Sequence, residues 1–257
     1  MKVSIVTATY NSGRTVRDTI ESVLRQTYKD VEYIIKDGGS EDDTLDICRE
    51  YEPKFVGKMK ILSAPDKGIY DAMNKGFEAS TGDVVGILNS DDFYTSNEVI
   101  AQVASALSED TSLDAVYGDI HFVNDENLNK CTRYFSSRYF HSWMLRYGFM
   151  PAHPSFYCKK AVFDKYGLYD LQYKTSSDFE MMVRLLWGNK IKTKYLNMDF
   201  VTMRAGGEST AGLASKKKVN NDISSSLKAH GIYTNQALQA VRYAWRICEM
   251  IYTKIKY

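Results

Sequence analysis

The chain has 257 residues, 44% of them hydrophobic and 25% charged, with a formal net charge of +1. That is enough chain to bury a large core, without the overall basic charge of a nucleic-acid-binding protein or the uncharged run of about 18 apolar residues that a membrane span requires. Its four cysteines (Cys48, Cys131, Cys158, Cys248) form no CxxC pair, which argues against a zinc site or a disulfide framework and for a reducing cytoplasm.

The first half alternates strand and helix signals. Residues 2–7 are short and β-branched, and the loop at Asn11-Ser12-Gly13 ends that run. The same polar break after Val3–Ala8 argues against a signal peptide. Val16, Ile20, Val23 and Leu24 then recur at helical spacing. Residues 31–36 read as a second strand closed by Asp37-Gly38-Gly39-Ser40, 41–51 as a helix, 60–63 as a third strand and 69–79 as a helix. Val84–Leu88 is a buried strand, and 97–107 a further helix. This βαβα order predicts an α/β fold with a mostly parallel, Rossmann-like sheet flanked by helices. Right-handed crossovers then place the strand C-terminal ends on one rim, where open α/β sheets bind ligands. The turns delivered there are Thr7–Asn11, Asp66–Tyr70, 37–40 and 89–92. Neither GxGxxG after the first strand nor GxxxxGK[ST] is present, which excludes those two nucleotide signatures.

The second half is less regular. Residues 115–123 predict one or two strands, 155–158 a short apolar piece, 177–187 a helix, 197–204 a strand and 204–209 a glycine-containing loop. Two helical stretches with a turn at His230-Gly231 close the chain. Trp143 and Tyr147, at helical spacing, read as core, and the 19 tyrosines suit sugar or nucleotide surfaces. Charge is uneven: residues 216–257 hold eight basic and two acidic residues, a net of +6, which leaves −5 on 1–215. Leu238, Val241, Ala244, Trp245, Cys248, Ile251, Tyr252 and Ile255 follow 3–4 spacing. Such a stripe docks on the body or lies on an anionic membrane.

Asn89-Ser90-Asp91-Asp92 ends the strand 84–88. Adjacent carboxylates at a buried strand tip repel and lose solvation unless a positive charge joins them. A hard divalent cation shared with a diphosphate meets that need, because such ions take one or two protein carboxylates and fill their shell with phosphate and water.

Ser4-Ile5-Val6-Thr7-Ala8-Thr9-Tyr10-Asn11, Asp37-Gly38-Gly39-Ser40-x-Asp42-x-Thr44 and Asn89-Ser90-Asp91-Asp92 together resemble the family 2 glycosyltransferases of GT-A fold. The run Asp66-Lys67-Gly68-Ile69-Tyr70-Asp71-Ala72-Met73-Asn74-Lys75-Gly76 resembles their bacterial cell-surface polysaccharide branch. The resemblance covers roughly residues 1–210. It implies a glycosyltransferase domain there, with a nucleotide-sugar-binding half (1–110), an acceptor-binding half (111–210), and a basic amphipathic helical tail (211–257). It implies inverting transfer of a sugar from a nucleoside diphosphate sugar, often UDP-linked, to a saccharide or lipid-linked acceptor. Mn²⁺ or Mg²⁺ would be the cofactor, and the location cytoplasmic or peripheral on the inner membrane face.

Residue by residue, the resemblance puts Thr7, Thr9, Tyr10 and Asn11 around the nucleotide and Asp37 with Gly38 at the base. Asp66, Lys67, Asn74, Asn89, Ser90 and Asp91 complete the donor side. The family's Asp-x-Asp falls on Asn89-Ser90-Asp91, so Asp91 is the expected metal ligand and adjacent Asp92 the alternate. Met73 stands where many members have Arg, which leaves Lys67 or Lys75 to supply that charge. The expected base is Asp178, at the start of a helix carrying Arg184 and Leu185, with Glu180 as alternate and a helix N-cap as the purely local reading. His153 falls on the acceptor side. Arg204 would meet the diphosphate, and Gly206 and Gly207 would let the following loop close. Two other functions compete. One is a sugar-nucleotidyltransferase, whose usual glycine-rich start is absent from Thr7–Asn11. The other is a catalytically silent nucleotide-sugar-binding subunit, raised by Asn89.

Overall fold

The computed structural model describes residues 1–206 and 213–256, and the side chains of 213–216, 252, 255 and 256 are outside the description. Gly207, Glu208 and Ser209 of the expected closing loop therefore lie outside the described residues.

Strands β1 (Val3–Thr9), β2 (Val31–Asp37), β3 (Met59–Ser63) and β4 (Val84–Ile87) form a parallel sheet in the order β3-β2-β1-β4. The helices between them are α1 (Val16–Leu24), α2 (Thr44–Tyr51) and α3 (Ile69–Ala79), with α4 (Val99–Glu109) following. Alternation along the strands sorts side chains onto two faces. Val3, Ile5, Tyr33, Ile35 and Val84 pack with Val16, Ile20 and Val23 of α1 and with Val103 and Leu107 of α4. Val6, Ile34, Val85 and Ile87 pack on the other face with Met73 and Phe77 of α3. Gly76 lets α3 approach, since a Cβ there would lie 2.2 Å from Val6 Cγ1. Met73 is buried in this layer, so no charge replaces the missing family arginine at that position.

The second half extends the sheet differently from a simple parallel continuation. Strand β8 (Tyr157–Lys159) inserts antiparallel between β4 and β6 (Ala115–Val123), and β6 runs parallel to β9 (Thr193–Arg204). The short strands β5 (Phe93–Tyr94) and β7 (Arg133–Phe135) pair antiparallel with β9 and β6. The result is a mixed sheet, parallel across β3-β2-β1-β4. The segment 177–187 is α6 (Ser177–Met182) continued by a wider turn over Val183–Gly188, and α5 (Lys160–Tyr166) precedes it. Trp143 lies in a 3-10 turn and is exposed rather than core.

The tail is not one appendage. Helix α7 (Leu213–Ala229) belongs to the body: its Ile223 and Leu227, with Ile232 of the following turn, join the core on the α6 face. Helix α8 (Gln236–Lys256) lies on the surface, across β7 and the 142–147 turn.

Candidate active site

The C-terminal ends of β1, β2, β3 and β4 share one rim, as the alternating order requires. Asn11, at φ 48°, takes the left-handed turn that ends β1, a conformation Asn tolerates. Its amide donates to Ser40 Oγ at 2.8 Å and its Oδ1 accepts from the Glu41 amide at 2.9 Å, tying the first two turns together. Ser12 Oγ and Ser90 Oγ are 2.9 Å apart, and Thr15 Oγ1 donates to the Ser90 carbonyl, tying in the β4 turn.

Several expected ligand contacts are instead part of this scaffold. Thr7 is buried, donating to the Leu88 carbonyl and accepting from Tyr33. Thr9 donates to Asp37. Asp37 is fully buried and its two oxygens accept five bonds, from Thr9, the Gly39 and Ser40 amides, Ser40 Oγ and Ser63 Oγ. Burial alone would raise its pKa, but the bonds from Ser40, Ser63 and Gly39 outweigh burial and hold it below the usual carboxylate range. Asp37 thus shapes the turn, and the acid on the rim above it is Asp66. A Cβ on Gly38 would lie 2.8 Å from Asp66 Oδ2 and 3.4 Å from the Tyr10 ring, so Gly38 keeps a slot open between them. Tyr10 is 64% exposed over that slot, and buried Lys36 reaches Asp66 at 3.3 Å. Asn74 exchanges two 2.9 Å bonds with the Tyr169 backbone, so it holds the two halves together rather than facing the rim. Lys75 is bound to Asp71 and the Pro65 carbonyl. Lys67 is exposed, and it is the lysine of the two that is available to a diphosphate.

At the tip of β4 the two adjacent acids separate in role. Asp92 is wholly buried, accepting from Asn89 Nδ2 at 2.7 Å and from the Arg204 amide at 3.2 Å. Burial, with the Asp91 charge adding, pushes its pKa well above the carboxylate range. Asp92 is turned inward, where it fixes Asn89 and the end of β9, and so offers the rim less than Asp91 does. An aspartate at 89 would set carboxylate against carboxylate, which accounts for the asparagine there. Asp91 is half-buried, and among the described residues its side chain is hydrogen-bonded to nothing but its own amide. Desolvation raises its pKa, opposed by Arg204, with Asp125 adding to the rise. Arg204 is buried, ion-paired to Asp18, and 3.7 Å from Asp125 through Nε. Its Nε and Nη1 are buried without a hydrogen-bond partner among the described residues.

An acid bonded only to its own amide, beside a cation with two donors unpaired among the described residues, fits a hard divalent ion and the diphosphate that would share it. Among the described residues no group of three His, Cys, Asp or Glu could cage a metal by itself, so the ligand shell would have to be completed by phosphate and water.

On the acceptor half, Asp178 lies in the first turn of α6. Its Oδ1 accepts from Tyr70 Oη at 2.9 Å and from the Phe179 amide at 2.8 Å. Burial and the Asp178 charge push the Tyr70 phenol well above its ordinary value, so it stays a donor. His153 Nε2 is 2.7 Å from Tyr169 Oη, and the Tyr169 and Tyr70 rings are 5.5 Å apart. Burial lowers the His153 pKa, with Asp178 opposing, which leaves the ring neutral at pH 7. Glu180 points elsewhere. It is buried against Arg184 (3.0 Å) and His230 (3.1 Å), locking α6 to the turn after α7, and is not available as an alternate base.

Sequence reasoning missed three participants. Tyr70 lay inside the quoted 66–76 run and is the side chain that reaches Asp178. Asp18 and Asp125 meet Arg204 across 186 and 79 residues, with no local signal.

A mixed α/β sheet flanked by helices in this order is a GT-A-like fold. Residues 4–166 match the model for "Glycosyl transferase family 2"; the chain belongs to that family and is a glycosyltransferase. The PGL/p-HBAD biosynthesis glycosyltransferase of Mycobacterium bovis strain BCG is 29% identical over 195 residues, covering 76% of this chain and 73% of that protein. Solved structures share the fold. S. aureus TarS 1-349, crystallised with UDP-GlcNAc, superposes with a TM-score of 0.71 at 18% identity, over 93% of this chain and 71% of that one. A Pyrobaculum calidifontis mannosyltransferase, solved with GDP-Man and Mn²⁺, gives 0.64 at 13%, over 99% and 86%.

Proposed function

We propose that this glycosyltransferase moves a sugar, with inversion, from a UDP-linked donor to a hydroxyl of a saccharide or lipid-linked acceptor. The base would lie in the slot between Tyr10, Gly38 and Asp66, and the diphosphate between Asp91, Arg204 and Lys67. Asp91 would hold Mg²⁺ or Mn²⁺ together with the diphosphate; bound there, the ion supplies neutralisation of the leaving group's charge. The unused Nε and Nη1 donors of Arg204 add charge-assisted hydrogen bonds as that charge develops. Asp178 Oδ2, left open by the bonds at Oδ1, takes the proton from the acceptor hydroxyl. The hydroxyl oxygen bonds to the anomeric carbon from the face opposite the diphosphate. The anomeric carbon–oxygen bond breaks and its electron pair leaves with the nucleotide.

The observation that carries this reading is the Tyr70–Asp178 hydrogen bond. Tyr70 follows directly on the Asp66 turn of the donor rim, so the bond brings the acceptor-half carboxylate to that rim. Relatives support the chemistry: TarS was solved with UDP and with UDP-GlcNAc, and the mannosyltransferase with GDP-Man and Mn²⁺. The mycobacterial relatives are named for PGL/p-HBAD biosynthesis. The test incubates the protein with Mn²⁺, acceptor extracts and a panel of nucleotide sugars, and reads nucleotide release and product configuration. Turnover of one UDP-sugar to a product of inverted anomeric configuration supports the reading. Saturable donor binding without turnover would leave only a binding subunit, and a retained configuration would overturn the mechanism.

A further inference from the structure

Helix α8 is mounted with its polar side inward. Gln239, Arg242 and Thr253 are buried, and Glu249 is largely so. At 100° per residue these four fall within an arc of roughly 80°. Each has a partner in the body. Arg242 donates to Asn220, Gln239 to Ser224, and Thr253 Oγ1 accepts from the Tyr134 amide, while Glu249 pairs with Arg133 at 3.7 Å. Of the apolar stripe read from the sequence, Trp245 sets its ring edge-on to Phe149 of the body at 6.3 Å between centroids, while Val241, Ala244, Cys248 and Ile251 are exposed; the side chains of Tyr252 and Ile255 lie outside the described residues. Val241 (47% exposed), Trp245 (47%), Ile247 (59%) and Ile251 (55%) face outward with Cys248 and Met250. Together they span about half of the helix circumference, far wider than the a/d seam by which two helices pair.

Charge around this face is one-sided. The acids of the tail, Asp222 and Glu249, are both turned to the body, Asp222 accepting twice from Thr175 and Glu249 facing Arg133. Among the described cations Arg242 is likewise turned to the body, but Lys217, Lys218, Lys228 and Lys254 are exposed. On α8, Lys254 is exposed at one edge of the apolar arc, while Arg246, though solvent-accessible, falls within the inward arc over the Tyr243 ring. Helix α7 packs along that same edge, through Asn220 with Arg242 and Tyr243 and through Ser224 with Gln239, and carries exposed Lys217 and Lys218. A broad apolar face with a Trp and an uncompensated cationic edge is the pattern that lies in an anionic bilayer interface. Two copies meeting through it would bring like charges together. No helix among the described residues is long and apolar enough to cross a membrane, so contact of this kind is peripheral.

We propose that the outward face of α8, with its α7 lysine edge, docks on the surface of an anionic phospholipid membrane, with Val241, Trp245, Ile247 and Ile251 inserted at the level of the head groups. This deepens the lipid-linked acceptor reading but is independent of the donor rim, and the test separates the two. The full chain is sedimented with phosphatidylglycerol/phosphatidylcholine vesicles and with pure phosphatidylcholine vesicles, at low and high salt. The expected result is at least about ten-fold stronger partition to the anionic vesicles, weakened by salt. The triple variant Val241→Ser/Ile247→Ser/Ile251→Ser alters exposed positions; it is expected to keep the wild-type melting temperature and the donor-sugar hydrolysis rate and to lose vesicle binding about ten-fold or more. Absence of wild-type binding to anionic vesicles, or equal binding by the triple variant, overturns the proposal. So does a wild-type dimer that the triple variant dissolves without any vesicle binding, which would make the face a contact between copies. Loss of donor hydrolysis in both proteins with vesicle binding intact would strike the function reading alone.

Discussion

Replacing Asp178 with asparagine separates its chemical role from its structural one. The carboxylate is anchored through one oxygen, which accepts from Tyr70 at 2.9 Å and the Phe179 amide at 2.8 Å. An amide oxygen in that position accepts both bonds, so Asp178→Asn keeps the geometry and gives up only the charge assistance, about 1 kcal/mol of stability. The second position becomes an NH₂ that cannot accept a proton. Removing a general base costs about 10²- to 10⁴-fold in rate, or roughly 3–5 kcal/mol of barrier. Tyr70→Phe removes a single bond to the carboxylate and frees its orientation, so a fall of about ten-fold in kcat is expected with the donor KM unchanged. Initial rates of sugar transfer at saturating donor, with melting temperatures in parallel, test both. A folded Asp178→Asn protein keeping more than about a tenth of wild-type kcat would refute the assignment.

Glu180→Gln acts on stability instead: it leaves the part-buried Arg184 without its counter-charge but with its carbonyl acceptors, costing about 2 kcal/mol or roughly 4–8 °C in melting temperature, with kcat of the folded protein preserved. Glu32 of β2 sits beside Ser4 of β1, where burial would raise its pKa but bonds from Lys60, Thr81 and Ser4 outweigh that and bring it to about 2. Its contribution, on the order of 2–3 kcal/mol, is present above the unfolded-state value near 4.5 and is lost as pH falls toward 2. Glu32→Gln should therefore lower the melting temperature at pH 7 and have little effect near pH 2, as read by thermal denaturation across that window. Gly76→Ala should destabilise by about 1–3 kcal/mol in urea denaturation, because the added methyl meets Val6 at 2.2 Å between α3 and β1.

The donor half was legible because its strands and helices are long enough to carry period: Ile69–Ala79 is the helix read from the sequence, and Val16, Ile20 and Val23 are the buried face of α1. The acceptor half was less so, because β7 and β8 have three residues each and are defined by long-range pairing that no local pattern encodes. Site residues were legible as turns but not as individual side chains. Asp91 and Asp92 look equivalent in sequence, yet one β4 tip turns Asp92 inward to Asn89 and Asp91 outward. Asp37 looks like a ligand residue until its five donors are counted, three on its own turn and one each from Thr9 of β1 and Ser63 of β3. The α8 stripe was visible as periodicity, and only the partners Asn220, Ser224 and Arg133 reveal which side faces the body.

The account rests on Asp91 as the protein group that holds a cation and diphosphate at the rim. Calorimetric titration of UDP with and without Mn²⁺, into wild type, Asp91→Ala and Asp178→Asn, tests that most directly. Metal-dependent binding is expected in wild type and in Asp178→Asn, and its loss in Asp91→Ala. Because burial raises the Asp91 pKa, wild-type affinity should also fall on acidification at a pH above the ordinary carboxylate range. Binding that is equally tight without metal, or unchanged in a folded Asp91→Ala protein, would contradict the account.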